Sequence, residues 1–359
     1  MIERSLLGVY IKLPMGEVLK FRNSLNNSIM AQVTQDPTLL NQIDAGASGR
    51  KRGHSYESII ALKLNSLSMP FNKTHLTEKY IERGKTECIL LNKILNYLKW
   101  ESCSSIVAYS TGRLATAEDG EKEVRIDNIS IKESKSDIII KLVNEDGITR
   151  IVGVSVKQCN NNTPTNAQVY FSTATAFYNT VVASGYPLSN NALIAMKQFC
   201  GDSGYRPLDD GDCSNRISTP ERYFWEEINV EGRAEWEDLF TNHQDDITRL
   251  LLQKGYKDDP FSPEVILHKT KKAPVDNEEI AIFSMDEFIS LSHKYNPFVL
   301  SKYRVKKGSH KEPEGVEHLA PRFGVVQMQR GGQKQHPTQL QFNLKAGYFY
   351  HPPFTDETL

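Results

Sequence analysis

Asp137 and the triplet Ser155-Val156-Lys157 are the residues whose types and spacing point to chemistry. They lie in SKSDIIIKLVNEDGITRIVGVSVKQ, residues 134–158, where apolar and other residues alternate with the period of a β-strand. On one face of two paired strands fall Ile138, Ile140, Leu142, Val152, Val154 and Val156, a wholly apolar set that belongs to a core. The other face holds Asp137, Ile139, Gly153, Ser155 and Lys157. Glu145-Asp146-Gly147 reads as a three-residue hairpin loop whose glycine supplies positive φ. That loop predicts Asn144 paired with Ile148 and Asp137 opposite Ser155, so that an acid, a hydroxyl and a lysine meet at one end of a sheet. Such a group suits phosphodiester hydrolysis with Mg²⁺, a hard cation satisfied by one or two carboxylates, water and the substrate phosphate. The ion polarises the phosphate and acidifies a bound water, and a lysine beside it can orient or deprotonate that water.

The elements that must position these residues read as mixed α/β, a central sheet with helices outside it. Residues 1 to about 100 read mostly helical, with broken apolar patterns over Leu6–Leu19 and Phe21–Val33. A helix carrying Tyr56, Ile59, Ile60, Lys63, Leu64 and Leu67 at helical spacing follows, then a longer one from about His75 to Trp100. Strands are expected at Ser104–Tyr109, Val124–Ile131, Phe323–Gln329 and Gln339–Leu344. Ala167–Ser184 reads as a helix, as does 219–256, opened by Thr219-Pro220. The stretches 202–217 and 302–322 read as loops. Two regions follow: residues 1–200, with N-terminal helices and a core over about 50–185, and residues 201–359, helical and β-hairpin elements for target recognition and dimer contacts.

Composition narrows the function. The 43 Lys and Arg against 44 Asp and Glu leave a net charge of -1, so the chain is no polycation that coats nucleic acid by charge alone. A local basic cleft remains open to it. Cys88, Cys103, Cys159, Cys200 and Cys213 form no C-x-x-C pair, which predicts neither a disulfide framework nor a zinc site and suits a reducing cytoplasm. No apolar run is long enough for a membrane span, and Glu3, Lys12 and Pro14 make the N-terminus a poor signal peptide. Without a G-x-x-x-x-G-K-[ST] or G-x-G-x-x-G motif in context, no nucleotide cofactor is expected.

The hairpin resembles the PD-(D/E)xK nuclease superfamily, which includes most Type II restriction endonucleases. Asp137 matches the family's strand-start acid, Ser136 stands where proline is frequent, and Ser155-Val156-Lys157 matches the acid-x-Lys triplet with serine in place of the acid. Some restriction enzymes share this Ser-x-Lys form and recruit the missing carboxylate from elsewhere. The resemblance covers about residues 50–185 and implies a restriction-endonuclease-like fold. It assigns the missing carboxylate to Glu57, on a helix before the core sheet, with Glu133 as the alternative. It further implies a Mg²⁺-dependent, site-specific deoxyribonuclease of a restriction-modification system, with Asp137 and Glu57 as metal ligands. Palindromic double-stranded DNA sites then predict a homodimer. A modification-dependent or repair nuclease of the same fold is the alternative, or a catalytically decayed sequence-specific DNA-binding protein.

Contacts to DNA are expected from three places. Arg50 and Arg52 lie in a glycine-rich loop suited to phosphates. Gln158, Asn160, Asn162 and Gln168 form an amide-rich stretch after the lysine, and Asn and Gln read adenine edges. Arg330, Gln333 and Lys334 sit on a C-terminal turn.

Overall fold

In a computed structural model of the protein, residues 2–5, 8–12, 18–21, 55–74, 80–115, 123–158, 166–211, 213, 216, 220–255, 259–269, 277–295, 298–304, 317–330 and 339–345 are described. In chain order the elements begin with β1 (Ile2–Ser5), β2 (Gly8–Lys12), β3 (Val18–Phe21), α1 (residues 55–65), β4 (Phe71–Asn72), β5 (Ile81–Gly84) and α2 (Thr86–Leu98). Next come β6 (Ser102–Cys103), β7 (Ser105–Ser110), β8 (Val124–Ile126), β9 (Ile129–Ile131), β10 (Ile138–Val143) and β11 (Thr149–Gln158). The remainder is β12 (Ala167–Thr173), α3 (Ala174–Ala183), α4 (Asn190–Cys200), α5 (Val230–Asn242), α6 (Gln244–Gln253), β13 (Pro263–Lys269), β14 (Glu278–Ser284), α7 (Met285–His293), β15 (Val299–Arg304), β16 (Glu317–Phe323), β17 (Val326–Arg330) and β18 (Gln339–Leu344). The chain divides into two compact units, Met1–Pro164 with Gln253–Met285, and Thr165–Leu252 with Asp286–Leu359. Among the described residues no helix is long and apolar enough to cross a membrane.

The first unit is built on a six-stranded mixed sheet in the order β5-β14-β13-β11-β10-β7. β11 runs antiparallel to β10 and parallel to β13. The predicted alternation decides the faces. Ile138, Ile140, Leu142, Val152, Val154 and Val156 join one core with Val265, Leu267, Ile280 and Ile282, and α1 and α2 cover it through Tyr56, Ile60, Leu64, Leu90 and Ile94. Ile139 faces the other way, into a smaller cluster with Val124, Ile126 and Ile131 of the β8–β9 hairpin. The sheet therefore has helices on one face and a hairpin over part of the other.

The second unit carries an antiparallel five-stranded sheet, β12-β18-β17-β16-β15. Its core is aromatic: the Phe177 ring stacks on Trp236 at 5.3 Å and lies 4.9 Å from Phe342, and Phe240 stacks on Phe323 at 4.6 Å.

Several expectations are corrected. The N-terminal helices give way at residues 2–21 to three short paired strands, since Pro14 and Gly16 interrupt any helix there. The long helix expected over 75–100 is shortened to α2, because Gly84, at φ 152°, ends the separate strand β5. Val124–Ile131 is a hairpin rather than one strand, turning at Asp127 with φ 55°. Ala167–Thr173 is a strand paired with β18, and Thr173 then caps α3 by accepting from the Ala176 N–H at 3.2 Å. The Asn229 side chain opens α5, rather than Thr219-Pro220. Ile59 of α1 is exposed rather than part of the buried stripe. Half of β15 and most of β16 fall in the stretch expected to be loop, where Lys302 and Arg304 break the apolar alternation.

Candidate active site

The hairpin closes with Asn144 and Ile148 paired. The Asn144 N–H donates to the Ile148 carbonyl at 3.0 Å, and Gly147 takes φ 80°. From there the ladder runs without a slip to its last pair, Ile138 opposite Val154, and Asp137 follows just beyond the strand, its own N–H turned to Val154 O rather than into a pair with Ser155. Three donors converge on one carboxylate oxygen, Asp137 Oδ2. They are the Val156 backbone N–H at 2.6 Å, Lys157 Nζ at 3.2 Å and Ser155 Oγ at 3.3 Å. Ser155 is buried, while about a quarter of the Asp137 side chain is exposed.

The residues before Asp137 are pinned from below. The Asp137 N–H donates to Val154 O at 2.8 Å, and Ser136 Oγ donates to Phe261 O at 2.5 Å. Asp259 accepts from the Lys135 N–H at 2.6 Å and from Ser134 Oγ. This close approach requires Gly153, since a Cβ there would lie 2.2 Å from Ser136 Oγ and 2.7 Å from Ser262 O. The carboxylate is thus set on a braced segment rather than on a free loop.

Glu57 lies one residue along α1 from Tyr56 and is buried. Its carboxyl is pushed up to about 8, first by burial and then by the negative charge of Asp137, with Lys157 pulling it back. The first turn of α1 is tied to the sheet beside it. Tyr56 OH donates to Glu278 Oε2 at 2.7 Å, and the same carboxylate takes bonds from Thr86 Oγ1 and Lys269 Nζ. Glu133, the alternative carboxylate, is exposed. Among the described residues no three His, Cys, Asp or Glu side chains gather as a metal cluster. Asp137 and Glu57 instead offer an oxygen-only pair, a donor set that fits a hard cation retaining most of its water better than zinc.

Two residues without a sequence motif complete the surroundings. His268 is opposite Lys157 in the β11–β13 register and is 1% exposed. Its imidazole is pushed down to about 4 by burial and then by the Lys157 charge, and so stays neutral. The one trace of it in the sequence is a histidine closing the apolar run Val265-Ile266-Leu267. Lys135 is the second. Burial and the Lys157 charge push its ammonium down to about 8, against the pull of Asp137 and Asp259.

Asp137, Ser155, Lys157 and Glu57 are therefore brought together, and Gln158, half-buried, follows on β11. Gln168 and Arg330 belong to the second unit. Gln168 is exposed and accepts from Gln341 Nε2 at 3.4 Å, whereas the Arg330 side chain is 5% exposed and lies 3.8 Å from Glu221. Arg50, Arg52, Asn160, Asn162, Gln333 and Lys334 lie outside the described residues.

No protein-family model matches the chain, and no curated protein does. Solved structures similar to it include the restriction endonuclease MspI in complex with its cognate DNA. That match has 9% sequence identity and a TM-score of 0.38, and it covers 72% of this chain and 78% of that one. At those values neither chemistry nor substrate transfers from it.

Proposed function

We propose that the chain is a Mg²⁺-dependent endonuclease that hydrolyses phosphodiester bonds in double-stranded DNA at a defined sequence. It would act as a homodimer of the Type II restriction kind. The observation that carries the proposal is the convergence of Val156 N–H, Ser155 Oγ and Lys157 Nζ on Asp137 Oδ2, with the buried Glu57 facing the same pair of charges. The choice of DNA rests on the resemblance borne by Asp137, Ser155 and Lys157.

Each side chain then has a task. Asp137 and Glu57 would hold the ion, which when bound supplies positive charge to the phosphate and acidifies water. Ser155 and the Val156 amide orient the Asp137 carboxylate, so that its geometry does not depend on the ion alone. Lys157 carries its ammonium to the open end of the sheet, where it orients the attacking water and screens charge developing on the phosphate. The water oxygen bonds to phosphorus as the bond to the leaving oxygen breaks. His268 keeps the far flank of Lys157 uncharged. Nuclease turnover of a labelled duplex, with Mg²⁺ or EDTA, tests the assignment in wild type, Asp137→Ala and Lys157→Ala. Wild type should cut only with the metal, and both variants should lose at least about a hundredfold in rate. Metal-independent cutting, or full activity in either variant, would remove the assignment.

A further inference from the structure

The sheet of the second unit has two unlike faces. Val326 and Met328 of β17 and Leu340, Phe342 and Leu344 of β18 turn into the aromatic core and are fully buried. The residues between them, Gln327, Gln329, Gln339, Gln341 and Asn343, share the opposite face because side chains alternate. All five are amides, without a charge among them. Contact with water alone would be met as well by charged residues or threonine. A phosphate surface would need cations. Amides instead offer a donor and an acceptor side by side, which is what tells base edges apart.

The amides are also set in order. Gln341 Nε2 donates to Asn343 Oδ1 at 3.0 Å and to Gln168 Oε1 of β12 at 3.4 Å, and Asn343 Nδ2 donates to Gln329 Oε1 at 3.0 Å. Asn343 is buried, Gln168 is exposed, and Gln329 and Gln341 are half-buried. Each of the last three has one end of its amide engaged, which fixes what the other end presents. Gln168 and Gln329 present N–H groups at Nε2, and Gln341 presents a carbonyl at Oε1. Gln341 pairs with Gln329 across β17 and with the half-buried Phe171 across β12. β12 is the edge strand of its sheet, so β12 and β18 make a two-stranded ribbon of the kind a major groove admits.

We propose that Gln329, Gln341, Gln168 and Phe171 read an A·T base pair in the major groove of duplex DNA. There an A·T pair shows the adenine N7 acceptor, the adenine N6 donor, the thymine O4 acceptor and the thymine methyl. Gln329 Nε2, Gln341 Oε1 and Gln168 Nε2 supply donor, acceptor and donor across β17, β18 and β12. Phe171, also on β12, adds an apolar surface for the methyl. A G·C pair shows two acceptors and then a donor, which sets guanine O6 against the Gln341 carbonyl. The inference takes duplex DNA from the phosphodiester reading and adds specificity-determining residues to it.

The test is selection of bound sequences from a random duplex library in EDTA by wild type, Gln341→Ala and Gln168→Ala. Wild type should select sites with an A·T pair at a fixed position. Each variant should lower the preference for A·T over G·C at that position about tenfold while keeping the rest of the site. Gln168 is exposed, so its alanine variant keeps the fold and must show the loss by itself. No selected sequence, sites built of G·C pairs alone, or full preference retained by Gln168→Ala would overturn the proposal. Cleavage of a plasmid with Mg²⁺ is scored in parallel. If wild type selects A·T sites through these residues but cuts nothing, the base reading stands and the nuclease reading falls. If it cuts and the variants keep the full preference, the nuclease reading stands and the base reading falls.

Discussion

Replacing Glu57 by glutamine should stabilise the metal-free protein at alkaline pH while removing its response to Mg²⁺. The carboxyl is pushed from the ordinary 4.5 up to about 8, with burial the main cause and Asp137 the next. The folded state therefore binds this proton more tightly than the unfolded chain does. Stability falls as pH rises between those two values and levels off above the upper one. A displacement of that size is worth at most roughly 5 kcal/mol. Local relaxation and water entry relieve part of it, so a difference of about 2–3 kcal/mol is the expected reading. Amide hydrogen exchange in EDTA, followed in peptides from residues 55–65 and from β10 and β11, measures it as a local opening free energy. Comparing the two proteins at each pH cancels the intrinsic exchange rate. Glu57→Gln should match wild type near pH 4–5 and exceed it increasingly toward about pH 9. Adding Mg²⁺ at the alkaline end should slow exchange in wild type and leave the variant unchanged. Parallel pH profiles for the two proteins would refute the electrostatic coupling of Glu57 to Asp137.

Other perturbations separate the roles around the carboxylate. Gly153→Ala drives a Cβ into Ser136 Oγ and into the backbone oxygens of Phe261 and Ser262, which cannot swing aside, so a loss of about 2–4 kcal/mol should appear in urea unfolding. Ser155→Ala removes the longest of the three bonds to Asp137 Oδ2 and spares the 2.6 Å Val156 bond, so duplex cleavage should persist within about tenfold of wild type. For His268 the sign opposes that of Glu57. Its folded value is held at about 4, below the ordinary 6.5, so its contribution is present above 6.5 and lost as pH falls toward 4. Acid unfolding of His268→Gln should lack this loss, up to roughly 3 kcal/mol, and an unchanged acid profile would show that the imidazole is not held neutral.

The hairpin was legible because its signals are local. Period-two alternation, one glycine at φ 80° and a three-residue loop suffice to set the pairing from Asn144–Ile148 to Ile138–Val154, at whose end the Asp137 and Ser155 side chains meet although their backbones do not pair. Glu57 needed the family resemblance, since a glutamate beside an apolar helical stripe does not show in its spacing that the helix end meets the sheet. His268 and the neighbouring strand β13 were out of reach. A parallel partner more than a hundred residues along the chain leaves no mark on β11, and its pairing is set by the fold as a whole. Lys135 carries a similar lesson, because its surroundings come from Asp259 and Gly255 in another segment. In the N-terminal and 167–173 segments, mixed apolar patterns favoured helix by composition, while sheet partners in β2–β3 and β18 decided for strand.

The most direct measurement is the fragment pattern produced from a mixed-sequence plasmid by the purified protein with Mg²⁺, set beside Asp137→Ala under the same conditions. A small set of discrete bands from wild type, absent in EDTA and absent with the variant, is the expected result. An uncut plasmid under every metal condition, or the same bands from Asp137→Ala, would contradict a nuclease centred on Asp137 and Lys157.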